Sequence, residues 1–163
     1  MYQKERFDNE AKRRIEDYRE AAALFPAVKK VLQAFDGKCL NCRLEKALRE
    51  ATGKHITVNK RFKWVEIDFY PGRAGSYSRT LAQIGIDKFV DGKRIPAELI
   101  IESLHKKRVE HLQAAAALER DMDNIELYEQ QFEYYKNQID KLRESLNTET
   151  RYIYHLSYYV QNS

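Results

Sequence analysis

Apolar side chains in the first part of the chain recur at every third or fourth position. Across residues 6–25 this spacing predicts one amphipathic helix, which Pro26 should end or kink because proline disfavours a helical conformation at the residue before it. Residues 28–35 predict a short second helix, and residues 40–52 predict a third helix that Gly53 ends. The chain is therefore expected to begin with a group of helices.

After Gly53 the apolar positions alternate with polar ones, which is typical of strands. Residues 55–59 and 62–70 predict two strands joined by a turn at 59–61, and Asp91-Gly92 predicts a second hairpin turn. Three residues of the longer strand share its apolar face: Val65, Ile67 and Phe69. The stretch 78–84 fits either another strand or a helical turn. We expect a small antiparallel sheet.

The last third predicts two helices that form an antiparallel hairpin. The first should run from Pro96 to about Asp121 and the second from about Asn124. The second helix carries apolar residues at alternating steps of three and four, a coiled-coil pattern that we call the seam. The seam comprises Ile125, Tyr128, Phe132, Tyr135, Ile139, Leu142 and Leu146. Residues 148–150 either break this helix or let it continue.

These elements predict an α+β protein with N-terminal helices, a small antiparallel sheet in the middle and a long, coiled-coil-like helical hairpin at the end. The expected division places the helices and basic hairpins in residues 1–95 and the helical hairpin in residues 96–163. A length of 163 residues fits one compact unit, from which the helical pair would protrude.

Charge is unevenly distributed along this chain. Residues 54–108 hold 12 Lys and Arg against 6 Asp and Glu, a net charge of +6, whereas residues 109–163 hold 5 against 10, a net charge of −5. The basic residues of this region fall on predicted turns, loops and one helical segment, with aromatic residues among them. Lys and Arg bind phosphate oxygens, and exposed aromatic rings stack on unpaired bases.

The leading hypothesis is therefore a non-enzymatic protein that contacts nucleic acid or a nucleoprotein complex through this basic surface. The candidate contact residues are Lys60, Arg61, Lys63, Trp64, Arg73, Arg79, Lys93, Arg94, Lys106, Lys107 and Arg108.

The acidic last third is rich in tyrosine, which is common at protein interfaces. The candidate interface residues are Tyr134, Ile153, Tyr154, Leu156, Tyr158, Tyr159 and Val160. They predict either a homodimer or contact with another protein. The alternative hypothesis is an adaptor or inhibitor whose acidic helices occupy the basic groove of a nucleic-acid enzyme by imitating phosphate charge.

A weaker hypothesis is a metal or redox protein that uses Cys39, Cys42 and His55. The spacing resembles three ligands of a zinc finger, but residues 59–61 supply no fourth ligand, so two buried structural thiols are the preferred interpretation. No nucleophile elbow, zinc-protease motif or phosphate-binding loop occurs in the sequence. We therefore expect neither catalysis nor a cofactor.

The composition also predicts a cytoplasmic protein. No window approaches 18 consecutive apolar residues, the first 14 residues are highly charged, and 2 Cys are too few for a disulfide scaffold. We expect no contact with a membrane.

Overall fold

A computed structural model describes the backbone of residues 2–162 and the side chains of residues 5–41 and 43–148. The chain divides into two compact units, Met1–Arg120 and Asp121–Ser163. The first unit contains the sheet and the hydrophobic core. The second unit, over its described residues, is helical throughout.

Three helices open the first unit, as the apolar spacing predicted. They are α1 (Tyr2–Ala23), α2 (Phe25–Ala34) and α3 (Cys42–Thr52). The break between α1 and α2 falls at Leu24, so Pro26 lies in the first turn of α2, where its missing N–H costs nothing. The side chain of Asn41 caps α3 at its start, and Gly53 ends it with a left-handed φ of 67°.

The sheet has three antiparallel strands in the order β1 (His55–Lys60), β2 (Trp64–Tyr70) and β3 (Arg79–Gly85). The apolar face predicted for β2 is confirmed, because Val65, Ile67 and Phe69 are all buried. The predicted turn at 59–61 lies two residues too early. Lys60 still pairs with Val65, so the connecting loop is 61–63.

The stretch 78–84, for which the sequence left a strand and a helical turn open, forms strand β3 from Arg79 onward. Its pairing with β2 shifts register between Ile67 and Asp68, which leaves Leu81 as an extra residue on β3. Leu81 and its neighbour Ala82 are consequently both buried. A bulge of this kind interrupts the alternation of apolar and polar positions, which is why the pattern did not identify a strand.

The Asp91-Gly92 turn forms, but the hairpin predicted around it does not. Both residues have positive φ, 53° and 66°, and the Lys93 N–H donates to the Val90 carbonyl over 3.1 Å. On either side of the turn only isolated bridges occur, one of them between Val90 and Arg94. The flanking segments are held by burial of Phe89 and Ile95 in the core and by backbone hydrogen bonds from residues 93–95 to the segment before α3. The Gly37 N–H donates to the Ile95 carbonyl and the Ile95 N–H to the Lys38 carbonyl, each over 2.9 Å.

The fourth helix, α4, is a single helix spanning Ala97–Asn162, so the predicted helical hairpin is wrong. The sequence between these residues contains neither Gly nor Pro, and Asp121–Asn124, which we expected to form the connection, lacks any residue that ends a helix. The helical backbone also continues through residues 148–150.

Within the first unit, the start of α4 joins the core and covers one edge of the sheet. Ile100 and Leu104 pack in the core with α2, α3 and the buried face of the sheet. The Ser103 hydroxyl accepts from the Gln83 N–H over 2.9 Å and donates to the Gln83 carbonyl over 3.0 Å, on the open side of β3. On the open side of β1, Arg49 Nε donates to the Ile56 carbonyl over 2.8 Å.

Candidate nucleic-acid interface

A groove in the first unit lies between β3 and the first turns of α4, and one end of it is closed by Trp64 at the start of β2. Its volume is about 670 Å³. We call it the lysine groove. Its lining includes three lysines, two carboxylates and one large aromatic ring: Lys88, Lys106, Lys107, Glu102, Glu110 and Trp64.

The elements around the lysine groove are fixed by backbone contacts. The paired Ser103–Gln83 hydrogen bonds hold α4 against β3. The Ile86 N–H donates to the Lys63 carbonyl over 2.9 Å, which fixes a short 3-10 helix, Ile86–Lys88, against the start of β2. Lys106 and Lys107 follow Glu102 and Ser103 by one helical turn, and all four residues line the groove.

The lysine groove combines positive charge with a stacking surface. Lys107 Nζ lies 3.4 Å from a carboxylate oxygen of Glu110, which offsets part of its charge. Lys88 and Lys106 are exposed. Trp64 is 37% exposed, so part of its ring is accessible to a ligand. These features suit a phosphate group and an unpaired base.

The face of β2 opposite its buried apolar residues carries two carboxylates that the fold largely covers. They are Glu66 and Asp68, and Arg61 Nε donates to Glu66 over 2.9 Å. Burial raises the pKa of Asp68, although hydrogen bonds from Asn59 and Thr80 act in the opposite direction. Asp68 is buried and Glu66 is paired with Arg61, so the fold already uses both carboxylates.

Arg73 is the centre of an ion-pair network with α1. Its guanidinium donates to Asp17 Oδ1 over 2.6 Å and to Glu16 over 3.0 Å, and it also donates to Glu20. Asp17 is fully buried. Burial alone would raise the pKa of Glu20, but hydrogen bonds from Lys54 and Arg73 lower it on balance. Arg73 therefore serves the fold rather than an external ligand.

Three further arginines proposed from the sequence have partners within the protein. The Arg79 guanidinium lies 4.4 Å from the centre of the Tyr18 ring, and that of Arg108 lies 4.9 Å from the centre of the Phe25 ring. Arg94 donates to the Gly37 carbonyl over 2.9 Å. Stacked or hydrogen-bonded in this way, these guanidinium groups are held close to the protein surface.

Of the proposed contact residues, the structure brings Trp64, Lys106 and Lys107 together in one site. Lys60, Lys63 and Lys93 are exposed on β1 and on turns outside the lining of the lysine groove. Sequence reasoning did not single out Gln83 or Ser103, and Lys88 was counted in the basic region without being among the proposed contact residues. Lys88 belongs to the same basic stretch, but only the folded chain shows that it shares a groove with Trp64.

A second groove of about 600 Å³ lies between α1 and the loop before β3. It is lined by Arg6, Arg13, Arg14 and Tyr77, among others. Glu10 lies 2.7 Å from Arg14 and 4.0 Å from Arg13, so an acidic residue already occupies the middle of this basic surface. These contacts offset part of its positive charge, as Glu110 does for Lys107 in the lysine groove.

The cysteine and histidine residues do not form a metal site in the described part of the chain. The Cys39 side chain is exposed, so the expectation of two buried thiols is wrong for this residue, and the side chain of Cys42 lies outside the description. Cys39 lies in the irregular segment before α3, where its backbone bridges to Arg94. The His55 ring packs 4.9 Å from that of Tyr70. Among the described residues, no three His, Cys, Asp or Glu side chains are grouped to bind a metal.

The second unit exposes much of the seam. Among the described side chains, Tyr128, Phe132, Tyr135, Ile139 and Leu142 are all exposed. Tyr134 is exposed as well, and its ring lies 5.5 Å from that of Tyr135. Six proposed interface residues lie outside the described side chains: Ile153, Tyr154, Leu156, Tyr158, Tyr159 and Val160.

Within the part that the structure describes, no helix is both long enough and apolar enough to cross a membrane. No protein-family model, curated protein or solved structure matches this chain.

Proposed function

We propose that this protein binds single-stranded nucleic acid through the lysine groove. The observation that carries the proposal is the accessible Trp64 ring in a groove that also presents Lys88, Lys106 and Lys107. Lysines attract the phosphate backbone of any sequence, whereas a ring can stack only on a base that is not already paired and stacked. The combination therefore favours a single strand over a duplex.

The positions of the three lysines support the same choice of site. A phosphate chain would follow Lys88, Lys106 and Lys107 between β3 and α4. Glu102 and Glu110 in the groove reduce its net positive charge, so binding should be modest and should weaken as salt rises. We place this activity in the cytoplasm and assign it no catalytic step.

The proposal is tested by fluorescence anisotropy of a labelled oligothymidine, measured at several salt concentrations. Replacing Lys88, Lys106 and Lys107 together by Gln should weaken binding and lower the salt slope by about 2, at roughly 0.7 per lost phosphate contact on a single strand. A matched control replaces Lys12, Lys30 and Lys46, three exposed lysines outside the groove, by Gln.

Base stacking is tested separately with Trp64→Leu. Loss of one stacked base should cost about 1 to 3 kcal/mol, which is roughly 5- to 150-fold in affinity, with little change in the salt slope. Equal loss of binding in the groove and control triple variants would show general charge attraction and reject the site. A duplex that binds as tightly as the single strand would contradict the role of Trp64.

A further inference from the structure

We infer that the seam of the second unit pairs two copies of this chain through a coiled coil, an association that goes beyond nucleic-acid binding. The seam follows alternating steps of three and four residues from Ile125 to Leu146. The second unit contributes only one helix, so it has no other element of its own to cover these side chains. Tyr135 is 62% exposed and Ile139 48% exposed.

The distribution of charge around the seam favours a second copy over a basic partner. With Ile125 and its sevenfold repeats taken as position a, the flanking g positions are all uncharged: Asn124, Gln131, Gln138 and Ser145. The other flank is mixed in sign and includes the cations Lys136 and Arg143. Two identical helices can therefore approach along the seam without a row of like charges facing each other.

Apart from Glu129, which flanks the seam at position e, the acidic residues from Asp123 to Glu144 lie on the side away from the seam. Glu126, Glu133 and Asp140 are at position b, and Asp123 and Glu144 are at position f. A surface that imitates phosphate would need its carboxylates around the docking face. Here the apolar face and the acidic face are separate, and the apolar face is the larger source of free energy on burial.

The area available matches that of a small stable interface. Six seam side chains run from Ile125 to Leu142 and three of them are aromatic, each able to bury about 150 Å² or more, so a partner helix would cover roughly 600 Å² per copy. Two copies would then bury roughly 1,200 Å², at the lower end of the range for specific interfaces. Most helical stability in proteins comes from packing of an apolar face, so pairing would also stabilise this part of α4.

The test compares two single substitutions in the full chain by sedimentation equilibrium. Ile139→Glu places a carboxylate on the seam, and Asn137→Glu adds the same charge at position f on the other side of the helix. The wild type and Asn137→Glu should sediment at twice 19.3 kDa. Ile139→Glu should raise the dimer dissociation constant on the order of 100-fold or more, because burying unpaired carboxylates is costly.

Several outcomes would overturn the inference. A wild type that stays at 19.3 kDa at all concentrations removes the dimer, and binding of a basic protein by that monomer would identify the acidic face as the docking surface instead. Dissociation of both variants would show a charge effect unrelated to the seam. Fluorescence of Trp64 checks that the first unit is intact in each variant. The Ile139→Glu monomer should still bind oligothymidine. Its binding is measured separately, so that a failure of the dimer and a failure of the lysine groove can be told apart.

Discussion

Replacing Arg73 by Met should destabilise the first unit strongly, although the sequence suggested a surface contact with nucleic acid. Methionine keeps most of the length of the side chain and removes its charge. The Arg73 guanidinium lies 2.6 Å from Asp17 Oδ1, and the Asp17 side chain is 0% exposed. Without Arg73, a carboxylate would remain buried with no counterion.

The expected loss of stability in Arg73→Met depends on how deeply each partner of Arg73 is buried. Glu16 is 63% exposed, so water replaces that contact at almost no cost. Glu20 is 17% exposed and keeps a second partner in Lys54 at 2.9 Å. The buried Asp17 dominates, and removal of one partner of a buried ion pair costs about 3 to 5 kcal/mol. Because Arg73 itself is 30% exposed, we expect a value near 3 kcal/mol.

Urea unfolding followed by the fluorescence of Trp64 measures this change, because the chain has 1 Trp and it lies in the first unit. With a slope of about 2 kcal/mol per molar urea, the midpoint should fall by about 1.5 M. Lys60→Met, which removes an exposed charge, is the control and should change stability by less than about 0.5 kcal/mol.

A double variant tests whether the buried carboxylate causes the loss of stability. Asp17→Leu combined with Arg73→Met should recover much of the loss, because the buried carboxylate is removed along with its partner. The loss should also shrink in acid. The pKa of Glu20 is lowered in the folded protein, so its contribution is present above its usual 4.5 and disappears as pH falls through the lowered value. If Arg73→Met and Lys60→Met have the same midpoint, the buried pair does not stabilise the fold and our reasoning is wrong.

Three further predictions concern a buried histidine, the contact between α4 and β3, and the end of α3. Burial, with Arg79 and Lys107 nearby, lowers the pKa of His111 below 6.5, so the unfolded chain takes up the proton first. Stability should therefore fall as pH drops below 6.5, and His111→Leu should flatten that part of a urea-midpoint profile; an unchanged profile would contradict it. Ser103→Ala should cost about 1 to 2 kcal/mol and speed amide exchange at Gln83, because two hydrogen bonds are lost; unchanged exchange would show that they do not protect the strand. Gly53→Ala should cost about 1 kcal/mol by thermal unfolding because φ is 67°, although a Cβ there would meet no atom within 4 Å; a neutral result would mean that the helix end relaxes.

The sequence predicted the elements whose periodicity was uninterrupted. The three N-terminal helices and the buried face of β2 are examples, because each buries one regular stripe against the core. It did not predict the bulge that buries both Leu81 and Ala82. It also mistook a change in the apolar pattern near residue 121 for a loop, although no helix-breaking residue lies there. The apolar pattern indicates which side of a helix is buried. Whether the helix ends depends on the presence of helix-breaking residues such as Gly and Pro.

The candidate site was only partly visible in the sequence. Counting charge identified the basic middle of the chain, which contains Trp64, Lys106 and Lys107. The count of charges could not show which arginines and lysines already contact partners within the folded protein. Arg73 finds its carboxylates 53 to 57 residues away, and Arg79 finds Tyr18 at a separation of 61 residues. Such distant pairs depend on tertiary structure.

The side chains on the two outer strands of the sheet bear on how this protein resists aggregation. An outer strand with free N–H and carbonyl groups can add a strand from another molecule and so start fibril growth. Ser103 occupies both groups of Gln83 on β3, and Arg49 occupies the Ile56 carbonyl on β1. An added strand would have to displace these side chains before it could pair. We expect the folded first unit to stay soluble when concentrated, and Ser103→Ala to be the variant that first forms fibrils detectable with thioflavin.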